Sequence, residues 1–219
     1  MGWLSVNIDF SNRGVLLVGA GRVGLRKLED LLAAEAKVTV VEPKADPHVL
    51  NLAERGAIEL VPEFGEALLD SNPWVFVAID DADKAGEIAA LAKARGLMVN
   101  VADRLPDCGF IMPALVDDPP FRLAVSTGGH SPALSARVAR DLRRQFAGYG
   151  ALARLLGRIR PLVLDSGLEL PERKRIFASL ADDLGLVVCL GRRDLKGLKE
   201  AVARHLGTVA VPKDFLWLD

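Results

Sequence analysis

The sequence predicts an α/β fold with a parallel sheet covered by helices, followed by a β-containing segment and a helical C-terminal region. Three observations lead to this prediction. Over the first hundred residues, short apolar runs rich in β-branched side chains alternate with segments of helical periodicity, which is the pattern of βαβ units. One of these runs ends in a glycine-rich turn at residues 19–24. Beyond residue 148 the apolar residues recur mainly at helical spacing.

The composition is that of a globular protein with one large domain, or with a medium domain and a smaller appendage. The chain has 219 residues, of which 50% are hydrophobic and 26% are charged, and its formal net charge is −1. This charge excludes a generally basic nucleic-acid binder. The two cysteines, Cys108 and Cys189, form neither a metal-ligand pair by spacing nor a disulfide framework.

The sequence contains no stretch that suggests a membrane or a secretory pathway. The longest apolar runs, such as residues 74–79, are much shorter than the roughly 20 residues that cross a bilayer. The first ten residues have neither a basic start nor a long apolar run, so they do not resemble a signal peptide. We therefore expect a cytoplasmic protein that binds neither membranes nor nucleic acid.

The apolar pattern gives the order of elements in the first hundred residues. Residues 4–8 alternate apolar and polar side chains, which predicts an edge strand. Further strands are expected at residues 15–18, 37–41, 58–61, 74–79 and 97–101, and helices at residues 23–34, 47–55 and 83–95. Alternating strands and helices with short connections predict a doubly wound parallel sheet of the Rossmann type.

The turn at residues 19–24 reads G-A-G-R-V-G and lies between an apolar strand and a helix. Gly19 permits the sharp turn, Gly21 lets the backbone approach a pyrophosphate, and Gly24 allows the helix to pack close to the strand. The free N–H groups at the start of the helix then form an anion site. Glycines also occur in ordinary strand-to-helix turns, but this context favours a dinucleotide site.

An acidic residue follows the second strand of this unit. Glu42 lies eighteen residues beyond Gly24, where a carboxylate can accept hydrogen bonds from the ribose hydroxyls of the adenosine and would repel a 2′-phosphate. The sequence therefore predicts NAD rather than NADP as the cofactor. The alternative is that Glu42 only caps a strand end that faces solvent.

A second acidic residue follows the fifth predicted strand. Ligands of open α/β sheets bind beyond the carboxyl ends of the strands, and Asp103 lies there, before a polar loop that contains proline. A partly desolvated carboxylate at this place would act as a general base or as a metal ligand. The alternative is an aspartate that caps the loop.

The next segment mixes β and helical patterns. Residues 110–116 and 121–126 predict two β segments joined by a turn, with Pro113 at an edge or bulge. Residues 127–130 form a small loop, after which Ser131 caps a helix over residues 133–146. That helix carries Arg137, Arg140 and Arg144 on one face. These arginines predict either a clamp for a polyanionic ligand or a solvated basic face.

The remaining chain predicts a helical domain. Helices are expected at residues 149–164, 171–184 and 194–206, and residues 186–190 form a short apolar patch. Nothing in this region indicates an independent active site.

Four separated motifs occur in an order that resembles one known family. They are G-A-G-R-V-G-L-R-K at residues 19–27, N-V-A-D at residues 100–103, C-G-F-I-M-P at residues 108–113 and S-T-G-G-H-S-P at residues 126–132. Together they resemble the precorrin-2 dehydrogenase family, which includes the dehydrogenase and ferrochelatase module of siroheme synthase. The resemblance is good over residues 3–146 and is absent beyond about residue 184.

The resemblance implies oxidation of precorrin-2 to sirohydrochlorin with NAD⁺ in siroheme biosynthesis and, in bifunctional members, insertion of Fe²⁺. It implies a catalytic role for Asp103. It assigns cofactor contacts to the turn and to the residues after the second strand, namely Gly19, Gly21, Arg22, Val23, Gly24, Glu42 and Pro43. We hypothesise that the substrate is bound by residues of the loop and helix that follow the predicted β segment at residues 121–126, namely Thr127, Gly128, Gly129, His130, Arg137 and Arg140. No resident metal site is predicted.

The resemblance also implies a homodimer. The expected parts of the chain are an NAD-binding domain at residues 1–109, a dimerisation and active-site segment at residues 110–147, and a helical domain at residues 148–219. His130 is either an exposed loop residue or a group that assists iron delivery.

Two other functions remain open from the sequence. A regulatory domain that senses NAD would account for residues 19–42, but it leaves Asp103 and the motifs at residues 108–113 and 126–132 unexplained. The other alternative is a Rossmann oxidoreductase that acts on a different small substrate.

Overall fold

The computed structural model describes residues 2–218 and divides into two compact units, which adjoin in the chain at Met112 and Pro113. Within residues 2–218, none of the helices is long and apolar enough to cross a membrane. The fold is α/β with a five-stranded parallel sheet in the first unit and mainly helices in the second. The predicted fold class is therefore confirmed.

The sheet of the first unit has the strand order β3-β2-β1-β4-β5, with every neighbouring pair parallel. Its strands are β1 (Gly14–Val18), β2 (Lys37–Val41), β3 (Glu59–Val61), β4 (Trp74–Val77) and β5 (Met98–Val101). The central strand β1 is in register with β2 and β4, so that Val18 pairs with both Val41 and Val77. The carboxyl ends of these strands consequently lie side by side.

Helices cover both faces of this sheet. They are α1 (Arg22–Ala33), α2 (Pro47–Glu54), the short α3 (Leu68–Ser71) and α4 (Ala82–Ala94), and a 3₁₀ turn follows at Leu105–Asp107. Asp46 and Asp81 start α2 and α4, because each side chain accepts a hydrogen bond from a backbone N–H in the first turn. Alternate residues of β1 enter two separate cores, Leu16 one and Leu17 the other, as a strand buried on both faces requires.

The edge strand predicted at residues 4–8 is wrong. Residues 2–10 form no strand, and the side chains of Leu4 and Val6 are 85% and 64% exposed. The apolar side chains of the alternating pattern therefore do not form a buried face. The segment is instead anchored at Phe10, whose ring lies edge-on against Trp74 with the centroids 5.1 Å apart.

The second unit begins with an antiparallel hairpin and continues as a helical bundle. The hairpin is formed by β6 (Ala114–Asp118) and β7 (Phe121–Val125). The helices are α5 (Pro132–Gln145), α6 (Tyr149–Leu164), α7 (Leu170–Asp182), α8 (Gly185–Arg192) and α9 (Leu195–Leu206). Ser131 caps α5 as predicted, since its hydroxyl accepts the N–H of Leu134 at 3.2 Å.

Two local assignments differ from the sequence prediction. The β segment predicted at residues 110–116 starts only at Ala114, because the backbone around Phe110 is bound to β5: the N–H of Gly109 donates to Val99 O at 2.7 Å. The apolar patch at residues 186–190 lies in α8, where Leu186 is fully buried in the bundle core. Short apolar runs of this kind fit a strand or a helix equally well.

Asp118 fixes the start of α6. Its carboxylate accepts the N–H groups of Gly148 and Gly150 at 3.1 and 2.9 Å, which satisfies donors that a helix start leaves without partners. A Cβ on Gly150 would lie 2.2 Å from the Asp118 carbonyl oxygen. The hairpin can therefore approach the helix this closely only because residue 150 is glycine.

Candidate active site

The turn between β1 and α1 has a shape that only glycine permits at two of its three positions. Gly19 has φ +94°, and a Cβ there would lie 2.3 Å from Ala78 O. A Cβ on Gly24 would lie 2.0 Å from Gly19 O. Gly19 thus forms the sharp turn, and Gly24 lets α1 pack against it.

The third glycine faces open space. No atom lies within 4 Å of the position that a Cβ on Gly21 would occupy. The missing side chain of Gly21 therefore leaves room on the outside of the turn rather than inside the fold. Gly21 is also the N-cap of α1 and supplies no side chain to the free N–H groups of the first turn. These groups and the space beside them fit the pyrophosphate of a dinucleotide.

Glu42, just after β2, is bound to the same turn. One carboxylate oxygen, Oε2, accepts the N–H of Ala20 at 2.8 Å, and Oε1 accepts the N–H of Lys44 at 3.1 Å. Each carboxylate oxygen can accept a second hydrogen bond, so Glu42 retains capacity for ribose hydroxyls. The carboxylate links the end of β2 to the glycine-rich turn, and its predicted contact with the adenosine ribose stays a prediction.

A crevice of about 1050 Å³ opens along the carboxyl ends of the strands of the first unit. Most of the predicted cofactor residues line it, together with Asp103; these are Gly19, Gly21, Arg22, Val23, Glu42 and Pro43. Gly24 is buried beneath the turn and does not line the crevice. The structure therefore brings together residues that are separated by more than eighty positions in the chain.

Other lining residues were not predicted as site residues. Glu63 and Phe64 follow β3, Lys84 lies in the first turn of α4, and Arg104 follows Asp103. The rule that ligands bind beyond the carboxyl ends of parallel strands would have indicated the residues after β3. This rule does not indicate Lys84 and Arg104, because the direction in which their side chains point depends on the conformation of the neighbouring loops.

Asp103 has an unusual backbone conformation. Its φ is +57°, in the left-handed region that aspartate and asparagine enter more readily than most residues. The residue is exposed, so the expectation of a partly desolvated carboxylate is wrong for this chain in isolation. The reason is that β5 ends at Val101 and the chain turns outward at once.

The next residue, Arg104, fastens the Asp103 loop to α4. Its Nε donates to Asp107 Oδ2 at 2.6 Å, and its Nη1 donates to Ala82 O at 2.7 Å. The guanidinium lies beside Gly86, where a Cβ would approach Nη2 to 3.5 Å. Arg104 thus links the loop to the first residue of α4.

The predicted substrate loop lies in the second unit and is organised by its own hydroxyl groups. Thr127 Oγ1 accepts the N–H of Ser131 at 2.9 Å and lies 3.2 Å from Ser135 Oγ. Gly128 and Gly129 have φ values of +61° and +85°. The exposed His130 places Nδ1 3.0 Å from Thr127 O.

The arginine face of α5 is partly neutralised. Arg137 Nε and Arg144 Nη2 both bind Asp141, at 2.9 and 2.6 Å. These hydrogen bonds, that from Arg144 first, lower the pKa of the Asp141 carboxyl. Within residues 2–218, Arg140 has neither a side-chain hydrogen bond nor an ion pair, and it is exposed. Arg140 is therefore the cation of this face that is available for a ligand.

The described part of the chain contains no group of three or more His, Cys, Asp or Glu side chains that could hold a metal ion. Cys108 has a structural environment instead. Its Sγ lies 3.3 Å from Val101 N and 3.4 Å from Arg104 O, so the thiol packs inside the loop that carries Asp103.

The parallel sheet, the glycine-rich turn and the crevice define a dinucleotide-binding protein of the Rossmann class. Residues 6–114 match the family described as "Putative NAD(P)-binding". This match confirms the predicted NAD cofactor, and the distinction between NAD and NADP rests on Glu42.

Several curated relatives are siroheme synthases. The protein from Chromobacterium violaceum is 36% identical over 184 residues, which are 83% of this chain and 39% of the relative. The protein from Thioalkalivibrio sulfidiphilus is 42% identical over 159 residues, covering 71% of this chain and 32% of the relative. The protein from Pseudoalteromonas translucida is 31% identical over 215 residues, covering 97% and 45%. The chain thus spans less than half the length of these relatives.

A solved structure described as "SirC, precorrin-2 dehydrogenase" has the same fold. It superposes with a TM-score of 0.74 over 93% of this chain and 98% of that structure, at 24% sequence identity. Residues 6–114 belong to the putative NAD(P)-binding family, and the chain is a homologue of the siroheme synthases. The resemblance drawn from the sequence motifs is thereby confirmed.

Proposed function

We propose that this chain oxidises precorrin-2 to sirohydrochlorin with NAD⁺, as an enzyme of siroheme biosynthesis. The observation that carries the proposal is the crevice that contains both the glycine-rich turn and Asp103, whose backbone has positive φ. The homology to siroheme synthases and the fold shared with a precorrin-2 dehydrogenase support the choice of substrate.

The proposed oxidation removes one hydride and one proton from the tetrapyrrole. NAD⁺, when bound, supplies the hydride acceptor. In our proposal, the N-terminus of α1 and Gly21 hold the pyrophosphate, and Glu42 accepts hydrogen bonds from the ribose hydroxyls. Arg22, Val23 and Pro43 line the same wall of the crevice.

The proton would go to Asp103. A carboxylate at the end of β5 lies in the crevice that holds the cofactor residues, and a general base must reach the proton that it accepts. Because Asp103 is exposed, it can pass the proton on to water. This role needs no metal at the carboxylate.

Precorrin-2 carries many carboxylates, so cationic and hydrogen-bonding groups are suited to bind it. We assign this role to Arg140 first, to Arg137 second, and to the loop of Thr127, Gly128, Gly129 and His130. The assignment is supported by the exposure of Arg140 and His130.

We further propose that the chain acts as a cytoplasmic homodimer. Support comes from three exposed apolar side chains of the second unit: Leu134 and Val138 on α5 are 53% and 36% exposed, and Leu115 on β6 is 38% exposed. Leu134 and Val138 are four residues apart and therefore share one face of the helix. Residues 110–147 would supply the dimer contacts, between a cofactor domain at residues 1–109 and a helical domain at residues 148–219.

Insertion of Fe²⁺ into sirohydrochlorin remains a prediction from the family resemblance. Iron would be a substrate of that step, and Asp103 would be the residue shared by both reactions. Incubation of sirohydrochlorin with Fe²⁺, with and without the protein, tests this second activity separately from the oxidation.

The oxidation is tested by anaerobic incubation of the purified chain with precorrin-2 and NAD⁺. We expect NADH absorbance to rise only when all three components are present, and NADP⁺ to be a poor substitute. If NAD⁺ binds but no NADH forms with precorrin-2, the chain is an NAD-sensing domain or an oxidoreductase for another substrate, and the proposal is wrong.

A further inference from the structure

A lysine on the buried side of α1 is hydrogen-bonded to a neutral side chain. Lys27 is half-buried, and its Nζ donates to Asn100 Oδ1 at 2.8 Å. The ammonium also lies 5.5 Å from the centroid of the Phe76 ring and 3.8 Å from Met112 Sδ. Within residues 2–218, no acidic side chain comes within ion-pair distance of it. The cation is therefore held by neutral groups alone.

This arrangement has an energetic cost that a surface lysine would avoid. Burial disfavours the charged form and lowers the pKa of Lys27. More distant groups also act on the pKa of Lys27: Cys108, Asp30 and Asp103 raise it, and Arg26 lowers it further.

The bond fixes the orientation of the Asn100 amide. An ammonium can only donate, so the oxygen of the amide must face Lys27 and the nitrogen must face the opposite way. That nitrogen, Nδ2, donates to Phe110 O at 3.0 Å and lies 3.8 Å from Cys108 Sγ. Asn100 is only 6% exposed, and leaving such a buried polar group without partners would be costly.

Phe110 closes the loop that carries Asp103. This loop, residues 102–109, leaves the end of β5 and returns beside the same strand, where the N–H of Gly109 donates to Val99 O at 2.7 Å. The ring of Phe110 packs edge-on against Trp74 and Phe76, with centroid distances of 5.3 and 5.2 Å. The Asn100 amide is thus a side-chain link between β5 and the far end of the loop, next to the Cys108 thiol, which lies 3.3 Å from Val101 N.

We propose that Lys27 is a positioning residue for the Asp103 loop: by orienting the Asn100 amide, it fixes Phe110 and with it the closure of residues 102–109. Its predicted effect on turnover rests on the proposed function. Its effect on the loop does not. Lys27 lies on the apolar face of α1, three residues after Gly24 and four before Leu31, both buried.

The test uses two substitutions that act on opposite ends of the link. Lys27→Met keeps the length of the side chain and removes its charge and donors. Asn100→Asp keeps the acceptor for Lys27 but removes the donor to Phe110. Lys37→Met is the matched control, because Lys37 is exposed at the start of β2.

Two measurements are made on the full chain: hydrogen exchange of the amides of residues 102–110, and steady-state kinetics with the Kd for NAD⁺. For Lys27→Met and for Asn100→Asp we expect exchange in this loop to accelerate by about tenfold. We expect kcat to fall by about tenfold while the Kd for NAD⁺ stays within about twofold.

Unchanged loop exchange in Asn100→Asp, or in a folded Lys27→Met, would overturn the proposal. A fall in both kcat and NAD⁺ affinity with exchange accelerated throughout the first unit would also overturn it, because Lys27 would then be a general packing residue. If the wild-type chain forms no NADH, the proposed function fails, and the exchange data still decide whether Lys27 positions the loop.

Discussion

Glu42 accepts a hydrogen bond from the backbone N–H of Ala20 at 2.8 Å, and so joins the end of β2 to the glycine-rich turn that follows β1. The two strands are neighbours in register, which places the carboxylate beside the turn. One residue thus contributes both to the shape of the cofactor site and to its negative charge. These backbone hydrogen bonds give Glu42 a structural role, and its contact with the adenosine ribose stays a prediction.

Replacing Glu42 with alanine should weaken NAD⁺ binding and reduce the preference over NADP⁺. Removal of a charged acceptor of backbone and ribose donors should raise the Kd for NAD⁺ by about tenfold. The Kd for NADP⁺ should rise less or fall, because repulsion of the 2′-phosphate is also removed. Equilibrium titration with both nucleotides measures this, with the exposed Glu54→Ala on α2 as control. An unchanged ratio of the two Kd values would refute the specificity role.

Substitutions of Gly21 and Gly24 should affect the stability of the fold and the binding of NAD⁺ differently. Gly21 has φ −67° and open space at its Cβ position, so Gly21→Ala should fold with a free energy of unfolding within about 1 kcal/mol of the wild type. Its methyl group would occupy the pyrophosphate side, and the Kd for NAD⁺ should rise by about tenfold or more.

Gly24→Ala is the opposite case. Its Cβ would collide with Gly19 O at 2.0 Å, so the unfolding free energy should drop by about 2 kcal/mol or more. Urea unfolding and NAD⁺ titration of both variants measure the contrast. Equal NAD⁺ affinity in Gly21→Ala and the wild type would contradict the position assigned to the pyrophosphate.

Asp103→Asn should remove the proton acceptor and leave the loop intact. Asparagine tolerates φ +57° nearly as well as aspartate, whereas alanine would add backbone strain. We expect kcat for precorrin-2 oxidation to fall by about a hundredfold with the Kd for NAD⁺ unchanged. The exposed Asp83→Asn, in the first turn of α4, is the control. Wild-type turnover by Asp103→Asn would exclude Asp103 as the general base.

The arginine face of α5 offers a comparison of two similar side chains. Arg137 already shares Asp141 with Arg144, whereas Arg140 has no such partner within residues 2–218. Arg140→Gln should therefore raise the KM for precorrin-2 by roughly threefold to tenfold, and Arg137→Gln by less. Steady-state kinetics at two salt concentrations measures this. A KM that neither substitution alters would end the clamp hypothesis.

The second unit should lose stability in acid through Asp183. Its carboxylate binds His205 Nε2 at 2.8 Å, and this hydrogen bond lowers the pKa of Asp183 below 3.8. A carboxyl whose pKa is lower in the folded state stabilises the fold above its unfolded pKa and loses that effect as the pH falls through the folded pKa.

The stabilisation should be measured by substitution at two pH values. Asp183→Asn should be less stable than the wild type at about pH 7, and the difference should be lost as the pH falls through the lowered pKa of Asp183. Urea unfolding followed by circular dichroism gives both values, with Asp182→Asn as the exposed neighbouring control. A difference that persists unchanged in acid would show that the charge of Asp183 is not its cause.

The sheet of the first unit was predictable because its strands are buried on both faces. The run at Trp74–Val77 is short, rich in aromatic and β-branched residues and placed between two helical patterns, which favours a strand that is buried on both faces. The segment at residues 4–8 shows the limit of the same reasoning. The alternation of apolar and polar residues predicts a strand. A strand also needs a neighbouring sheet edge with which to pair, and sequence periodicity contains no information about that edge.

The candidate site was predictable where a strand end determines it and unpredictable where a loop does. Glu42 and Asp103 follow buried strands, so the topology brings both to one crevice. The direction of Asp103 depends on its positive φ and on the loop closed by Phe110, which propensities do not reveal. One feature of the sequence could have drawn attention to Lys27: it is a charged residue on an otherwise apolar helix face.

The most direct test of the whole account is the stoichiometry of the anaerobic reaction. With the wild-type chain, precorrin-2 and NAD⁺, we predict one NADH for each sirohydrochlorin formed, and a severalfold lower initial rate of both products with Gly21→Ala at an NAD⁺ concentration near the wild-type Kd. Formation of sirohydrochlorin without NADH, or equal initial rates with both proteins, would contradict the claim that this crevice binds NAD⁺ for the oxidation of precorrin-2.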